Sequence, residues 1–353
     1  MQQIYNQIID LVKNNISNIN DNHVQFSDTN YKPFNFDKNN FKEIKNSESN
    51  NKIAFIDGGS SEIIKSSNFS LNLIRIYYTI YQQNKRIKAK KRDFYAFIST
   101  KNIDNELFYD VKFINLENDN ENNVIPSNED LLLSSLDETI KSGITRASIS
   151  NVSNVIRRFS ELKSGINIIG SLEKNDIIVL DGSLQCTFTN EKKYMDKLYE
   201  KAEEKNIIIS GLSKTTTLMT DKGNSIANAL NKFDVNGKWI YHPVAEIKSN
   251  GHKAEMAFIK LHESSKYIFR FEVYKEQKEK LNDVVNLISN NAKDSVFIGY
   301  PYGLIEADKQ ARISNNEKGM LLILFSTKLG KDWEKIKNSL TSIDAHEILD
   351  SIS

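Results

Sequence analysis

Two stretches of the chain, KIAFIDGGSS (52–61) and DIIVLDGSLQ (176–185), each run a short apolar series into Asp-Gly, so Asp57 and Asp181 close two buried-type strands. A carboxylate at the C-terminal end of such a strand stands at the sheet edge where α/β folds place their ligands. The glycine behind it lets another group approach the backbone closely. Strand-end Asp-Gly is also ordinary turn chemistry, but two such ends on strands that could lie side by side say more. Neighbouring carboxylates repel unless a cation sits between them. Hard divalent ions such as Mg²⁺ or Mn²⁺ take oxygen ligands of this kind. Two such ions about 3.5–4 Å apart would clamp both oxygens of an in-line phosphoryl displacement.

A third carboxylate should come from a helix packed near these strands, and Glu161 in RRFSELK and Glu138 in LDETI are both candidates. Both project roughly opposite the apolar stripe of their helices, and each alone reads as solvated, Glu161 pairing with Arg157 one turn earlier. Asp308, in YGLIEADKQARI, shares a helical face with Leu304, Ile305, Ala307 and Ala311. An acid in an apolar stripe is costly unless paired or coordinated, so it reads either as a ligand or as a buried acid bonded to an amide or an arginine. Lys214 follows the run IIISGLS and leaves its strand toward the same edge. It is either a point charge for a phosphate or a solvated surface lysine. The tract KRIKAKKR holds Lys85, Arg86, Lys88, Lys90, Lys91 and Arg92. It reads as a solvated hairpin tip or as a salt-sensitive surface for a nucleic-acid backbone. Tyr77, Tyr78 and Tyr81 could stack on bases, although strand spacing more often means core packing.

The elements that must position these groups follow from periodicity. A helix spans Gln2 to Asn14, followed by a loose, Asn-rich lead-in. Strands are expected at KIAFID, FSLNLIRIYYTIYQ and RDFYAFIS as an antiparallel meander, and at DIIVLD and NIIISGLSK as buried strands. Further strands are expected at KWIYHPVAEI, AEMAFIKLH and YIFRFEVY. Residues 115–128 form an acidic, Asn-rich surface loop. Ser127 with Asp130 resembles a capping box opening a helix through LLLSSLDETI. Helices are also expected through NVSNVIRRFSELKSG, EKKYMDKLYEKAEEK and YGLIEADKQARIS, and near Trp333. The expected division is an N-terminal helix and lead-in (1–50), one elaborated α/β domain (51–330) and a C-terminal helix (331–353).

The chain has 353 residues, with 47 basic and 46 acidic, a formal charge of +1 that advertises no polyanionic partner, so any nucleic-acid surface must be local. The single cysteine, Cys186, excludes an intrachain disulfide and a Cys-rich zinc site and fits a reducing cytoplasm. The N-terminal segment lacks the basic and continuous apolar regions of a signal peptide, and no apolar run approaches a membrane span, so no membrane is expected.

The ordered series FIDGGSS (55–61), RRFSELK (157–163), VLDGSL (179–184), SGLSK (210–214) and GYPYGLIEADKQARIS (299–314) resembles the NurA family of nucleases. The resemblance implies an RNase H-like mixed sheet flanked by helices and a metal-dependent DNA nuclease, exonucleolytic and in some cases also cutting single strands. It implies Mn²⁺ or Mg²⁺ as cofactor, and action on single-stranded or end-processed DNA in double-strand break repair. A HerA-type hexameric helicase is the implied partner, and a homodimer the implied assembly. Residue by residue, Asp57 and Asp181 match the strand-borne metal ligands, Glu161 the helical glutamate and Lys214 the lysine after the next strand. Tyr194 or Tyr199 matches an active-site tyrosine. Asp308 stands where the family usually carries histidine, a change that adds negative charge and removes a nitrogen ligand. His242, in WIYHPV, is the nearest substitute in character, although a His beside proline is more often structural. Two rivals remain: an actin-like or sugar-kinase phosphotransferase, whose first hairpin also carries Asp-Gly-Gly-Ser-like residues, and a catalytically silent scaffold that docks a helicase.

Overall fold

The computed structural model describes residues 2–16, 21–47, 49–116 and 124–340. Four long strands form the meander: β1 (Lys52–Lys65), β2 (Phe69–Gln82), β3 (Lys85–Ile103) and β4 (Glu106–Asn115). Helix α1 is Gln2–Ile16, and α2 (Asn151–Ile168) leads to β5 (Ile177–Asp181). Helix α3 (Glu191–Lys205) leads to β6 (Ile208–Ser213), and after the short α4 (Ile226–Asn231) come β7 (Ala254–Lys260) and β8 (Phe269–Tyr274). The chain ends in α5 (Leu281–Asn290), α6 (Tyr302–Ala311), α7 (Asn315–Leu329) and α8 (Asp332–Leu340).

Among the described residues these strands join one 11-stranded sheet, whose centre runs β8-β6-β5-β1-β2-β3. β1, β2 and β3 are antiparallel, while β5 is parallel to both β1 and β6. Taken in chain order, the five strands β1, β2, β3, β5 and β6 stand in the spatial order third-second-first-fourth-fifth. The return to the sheet after the meander runs through α2 and the next through α3, as parallel pairing requires. This is the RNase H-like arrangement that the resemblance implies. Because β1 and β5 are parallel neighbours, Asp57 and Asp181 end up at the same edge. Both faces of the sheet are covered. One core packs against α2 and α3 through Val155, Phe159 and Leu198, and the other packs against α5 and α6 through Phe55, Val179 and Phe271.

Helix α6 sits unusually close to β1. A Cβ on Gly303 would fall 2.0 Å from the Phe55 ring, and one on Gly59 would fall 2.1 Å from the Ala311 carbonyl oxygen. Both glycines exist so that helix and strand can touch.

Several expectations are corrected. The Ser127–Asp130 pair opens no helix. Glu129–Leu131 makes one 3₁₀ turn and Leu133–Ser134 adds to the sheet beside β4, because the leucines there alternate between buried and exposed rather than following a helical stripe. The tract 85–92 is not a hairpin tip but the first half of β3, paired along β2. The stretch 239–247 splits into two short strands, Trp239–Tyr241 and Ala245–Ile247. The lead-in is woven into the body: Phe41–Glu43 pairs with Trp239–Tyr241, and Tyr31–Pro33 pairs with Ala245–Ile247. Part of the acidic loop at 115–128, and the chain beyond 340, lie outside the described residues. No helix among the described residues is long and apolar enough to cross a membrane.

The glycine bed sets a stability test. Gly303→Ala should destabilise the protein by about 1–3 kcal/mol through overpacking against Phe55. Gly319→Ala, in α7 with open space around it, should be neutral or stabilising by up to about 1 kcal/mol. Chemical denaturation midpoints compare the two.

Candidate active site

The sheet edge assembles an acidic cluster from three elements. Asp57 lies mid-way along β1, which does not stop at the expected Asp-Gly step but runs on to Lys65. Asp181 ends β5, and Asp308 lies on α6, held there by the close seat of that helix on β1. Each offers a carboxylate oxygen, and the three oxygens lie within 4.8 Å of one another. They line an open cleft of about 330 Å³ together with Gly58, Gly59, Arg157, Lys214 and Arg312. Lys214 Nζ bridges two of the acids, at 2.6 Å from Asp181 Oδ2 and 2.7 Å from Asp308 Oδ1. Arg312 Nη2 donates to the other Asp308 oxygen at 3.0 Å. Asp57 accepts from the Gly58 amide at 2.7 Å.

The electrostatics record the crowding. Burial, then the charges of Asp181 and Glu161, push the Asp57 carboxyl up to about 8, with Lys214 pulling the other way. Burial disfavours the Lys214 ammonium, but Asp181, Asp308 and Asp57 outweigh it and hold the lysine above its ordinary value. The donor set is all oxygen, crowded and short of positive charge, which is what a hard divalent cation requires. The residues therefore fit such an ion, and Asp57, Asp181 and Asp308 are those that could hold it.

Glu161 is not solvated. Helix α2 is wedged between the sheet and α3, so even the side opposite its main stripe is covered. The Glu161 carboxylate reaches the underside of Gly58, where an added Cβ would fall 2.7 Å from its Oε1. Arg157 Nη1 donates to Glu161 at 2.7 Å, the pairing read from the sequence, and also to the Gly58 carbonyl at 3.2 Å. Burial pushes the Glu161 carboxyl up against the pull of Arg157 and Arg158. Glu138 sits in an exposed turn, paired with Lys141.

A profile of the NurA domain matches residues 51–313. The chain belongs to the NurA domain family. Among solved structures it is similar to the NurA nuclease from Sulfolobus solfataricus, at 14% identity and a TM-score of 0.49, covering 94% of this chain and 98% of that one. It is also similar to the catalytic domain of human Endonuclease V, at 10% identity and a TM-score of 0.36 over 77% of this chain and 85% of that one. A third is A. aeolicus Argonaute, at 11% identity and a TM-score of 0.34 over 75% of this chain and 29% of that one. No curated protein sequence matches the chain.

Within this NurA domain the tyrosine assignments need correction. Tyr194 is buried away from the cleft, donating to Asp130 at 2.7 Å and stacked on Phe159. Tyr199 is stacked on Tyr274 at 3.9 Å. Both serve the core because α3 packs on α2, not on the strand edge. The tyrosine at the cluster is Tyr300, whose ring centroid is 6.0 Å from Lys214 Nζ. Its buried hydroxyl has no partner among the described residues. Burial and the three aspartate charges drive the phenol far above its ordinary value. The signal for it was the GYPYG segment, which carries part of the family resemblance but is read in the sequence for its helix and Asp308, not for Tyr300.

The truly buried acid of α6 is Glu306 rather than Asp308. Tyr77 donates to Glu306 at 2.7 Å, Tyr81 at 2.5 Å and Arg86 at 2.7 Å. Burial opposes its ionisation, but these donors prevail and hold the carboxyl below the ordinary range. Tyr77 and Tyr81 are thus committed to anchoring α6, not free to stack on bases. In the basic tract, strand alternation divides the charges: Arg86 and Lys91 lie on the Asp57 face of the sheet, while Lys88, Lys90 and Arg92 lie on the other. Lys85 opens the strand opposite Gln82. His242 pairs with Glu255 at 2.6 Å and does not enter the cleft.

The raised Asp57 would set the pH dependence of metal binding at this cluster. Below about pH 8 its carboxyl carries a proton in the metal-free protein, and an incoming cation must displace it. Apparent Mn²⁺ affinity should therefore rise with pH up to about 8 and level off above it. Calorimetry at pH 7 in buffers of different ionisation enthalpy should show release of about one proton. Asp57→Asn should remove that release.

Proposed function

We propose that the protein is a divalent-metal-dependent nuclease that hydrolyses DNA phosphodiester bonds. The observation that carries this reading is the convergence of Asp57, Asp181 and Asp308 on one cleft, with Lys214 2.6–2.7 Å from two of them. A cation held by the three carboxylates, Mn²⁺ or Mg²⁺, would supply an activated water and stabilise charge on the phosphoryl group. The chain's own residues do the rest. Lys214 offers an ammonium to a non-bridging phosphate oxygen as a point charge. Glu161, backed by Arg157, fixes the Gly58 backbone beneath Asp57 and so positions that carboxylate. Gly58 leaves room for Glu161 and Arg157 on one face of the strand, and Gly59 leaves room for the α6 backbone on the other. Arg312 holds Asp308 from its solvent side.

Family membership supports a wider role at DNA ends. In that role the nuclease digests single-stranded or end-processed DNA during break repair, as a homodimer beside a HerA-type ATPase. Asp308 departs from the histidine usual in the family, and the reading assigns it the same ligand position with a harder donor. The basic strand 85–92 would then add phosphate contacts, strongly salt-dependent, on whichever face the DNA runs.

End-labelled single-stranded DNA incubated with Mn²⁺ or Mg²⁺ tests the reading. The wild type should cleave only with metal, and the Asp57→Ala, Asp181→Ala double variant should lose cleavage. Lys214→Ala should slow it by roughly 10²-fold, the scale of one lost charge-stabilising donor. Tyr194→Phe should leave the rate unchanged. Metal-independent cleavage, or activity that survives the double variant, would overturn the assignment.

A further inference from the structure

A second depression, of about 570 Å³, opens beside the loops that follow β5 and β6, and nothing in the proposed reaction uses it. Phe26 and Tyr31, Gln185 and Thr217, and Arg270 of β8 form its walls. Arg270 pairs in register with Ser213, the residue before Lys214. Alternation along β8 turns Arg270 and Glu272 away from the Phe271 face, so this pocket lies across the strand edge from the carboxylates. Chain reach bounds the separation. Thr217 is three residues from Lys214 and Gln185 is four from Asp181, so their Cα atoms can be no more than about 11 and 14 Å apart. At about 3.4 Å per stacked nucleotide, that is three or four nucleotides at most.

The walls are fixed by a buried polar network. The Phe26 and Tyr31 rings stack with centroids 4.9 Å apart. The Tyr31 hydroxyl lies 2.8 Å from His252 Nδ1, and His252 Nε2 lies 3.0 Å from Glu272 Oε2. Arg270 Nε donates to Glu272 Oε1 at 2.5 Å, and the Leu184 amide donates to Glu272 Oε2 at 2.7 Å. His252 and Glu272 are each only 1% exposed, and such a buried network is costly unless it specifies something. Here it locks both the aromatic and the guanidinium wall to the loop leaving Asp181. Aromatic rings beside an arginine are the stacking partners that unpaired bases use. Asp28 and Asp221 on the rim repel a phosphate, whereas the Gln185 amide and Thr217 hydroxyl can match the polar edge of a base.

We infer that this pocket receives one unpaired nucleobase of the strand being cut, stacked against the Phe26–Tyr31 wall with Arg270 at its side. The inference rests on the nuclease reading above. It makes Gln185 and Thr217 substrate-positioning residues and gives the enzyme a requirement for single-stranded character within a few nucleotides of the cleaved bond.

The test uses the full chain and a short single strand with one cleavable linkage, carrying a single abasic site at each position within four nucleotides of that linkage. For the wild type, one abasic position should raise KM about tenfold, the scale of one lost base stack. Gln185→Trp and Thr217→Trp, which fill the pocket, should raise KM similarly on the intact strand, keep kcat, and show no further penalty from the abasic site. Either variant suffices if the other does not fold. A 5-iodouracil at the sensitive position should photocrosslink to Phe26 or Tyr31. Normal cleavage with no abasic-sensitive position, or filled variants that keep the full abasic penalty, would overturn the pocket and leave the nuclease standing. A wild type that cleaves no DNA would overturn both.

Discussion

Three carboxylates brought within a few ångströms of one another, one of them buried, will not stay together without a reason. Burial first and then the neighbouring carboxylates hold the Asp57 proton up to about 8, and Lys214 has its ammonium drawn between Asp181 and Asp308. Parallel pairing of β1 and β5 forces the first two acids to one edge, and the third arrives only because α6 is pressed onto β1 through Gly59 and Gly303. Lys214, Arg312 and the Asp57 proton offset the repulsion here, and a bound cation would take over that role. The two glycines after Asp57 matter separately. Gly58 admits Glu161 and Arg157 from one face of the sheet, and Gly59 admits the α6 backbone from the other.

Holding α6 in that position falls to a second buried acid. Glu306 stands two residues before Asp308 and takes hydrogen bonds from Tyr77, Tyr81 and Arg86. Removing one partner of a buried ion pair is far more damaging than the pair is stabilising, so this anchor fixes geometry more than it adds stability. It ties the helix that carries one candidate ligand to the same strand, β2, that pairs with the strand carrying another. Arg86 thereby belongs to the scaffold of the site as well as to the basic strand.

The two buried runs were legible in the sequence because they are local signals, but only Asp181 ends its strand: β1 continues through Asp57-Gly58 to Lys65, since β2 goes on pairing with it. Asp57, Asp181 and Lys214 needed only the parallel pairing that a strand-helix-strand order implies. Asp308 was singled out as an acid in an apolar stripe, but its side chain is a third exposed in the cleft, and the acid that the helix buries is Glu306. What failed was anything requiring knowledge of a neighbour. Glu161 looked solvated because one helix projected alone does not show that the sheet, at Gly58, meets its other side. Tyr194 and Tyr199 followed the right helix, but its packing partner turns them into the core. Glu306 gave no signal at all, since its four donors, Tyr77, Thr79, Tyr81 and Arg86, come from strand positions more than two hundred residues away. The supposed helix after Ser127 failed for a different reason: its short leucine run carries both a helical and an alternating pattern, and pairing with β4 decided between them.

Two polar networks now bracket the same edge of one sheet. On the α6 face Glu306 fixes a helix, and across the strand edge Glu272 fixes an arginine, a histidine and the loop after Asp181. Each places a carboxylate where apolar packing would have been the cheaper choice. Both end at backbone that leads directly to a member of the acidic cluster. Apolar cores tolerate small shifts of register and rotamer, whereas a hydrogen-bonded carboxylate accepts only one arrangement. A cluster of like charges, poised to move whenever its surroundings give, needs walls of the second kind.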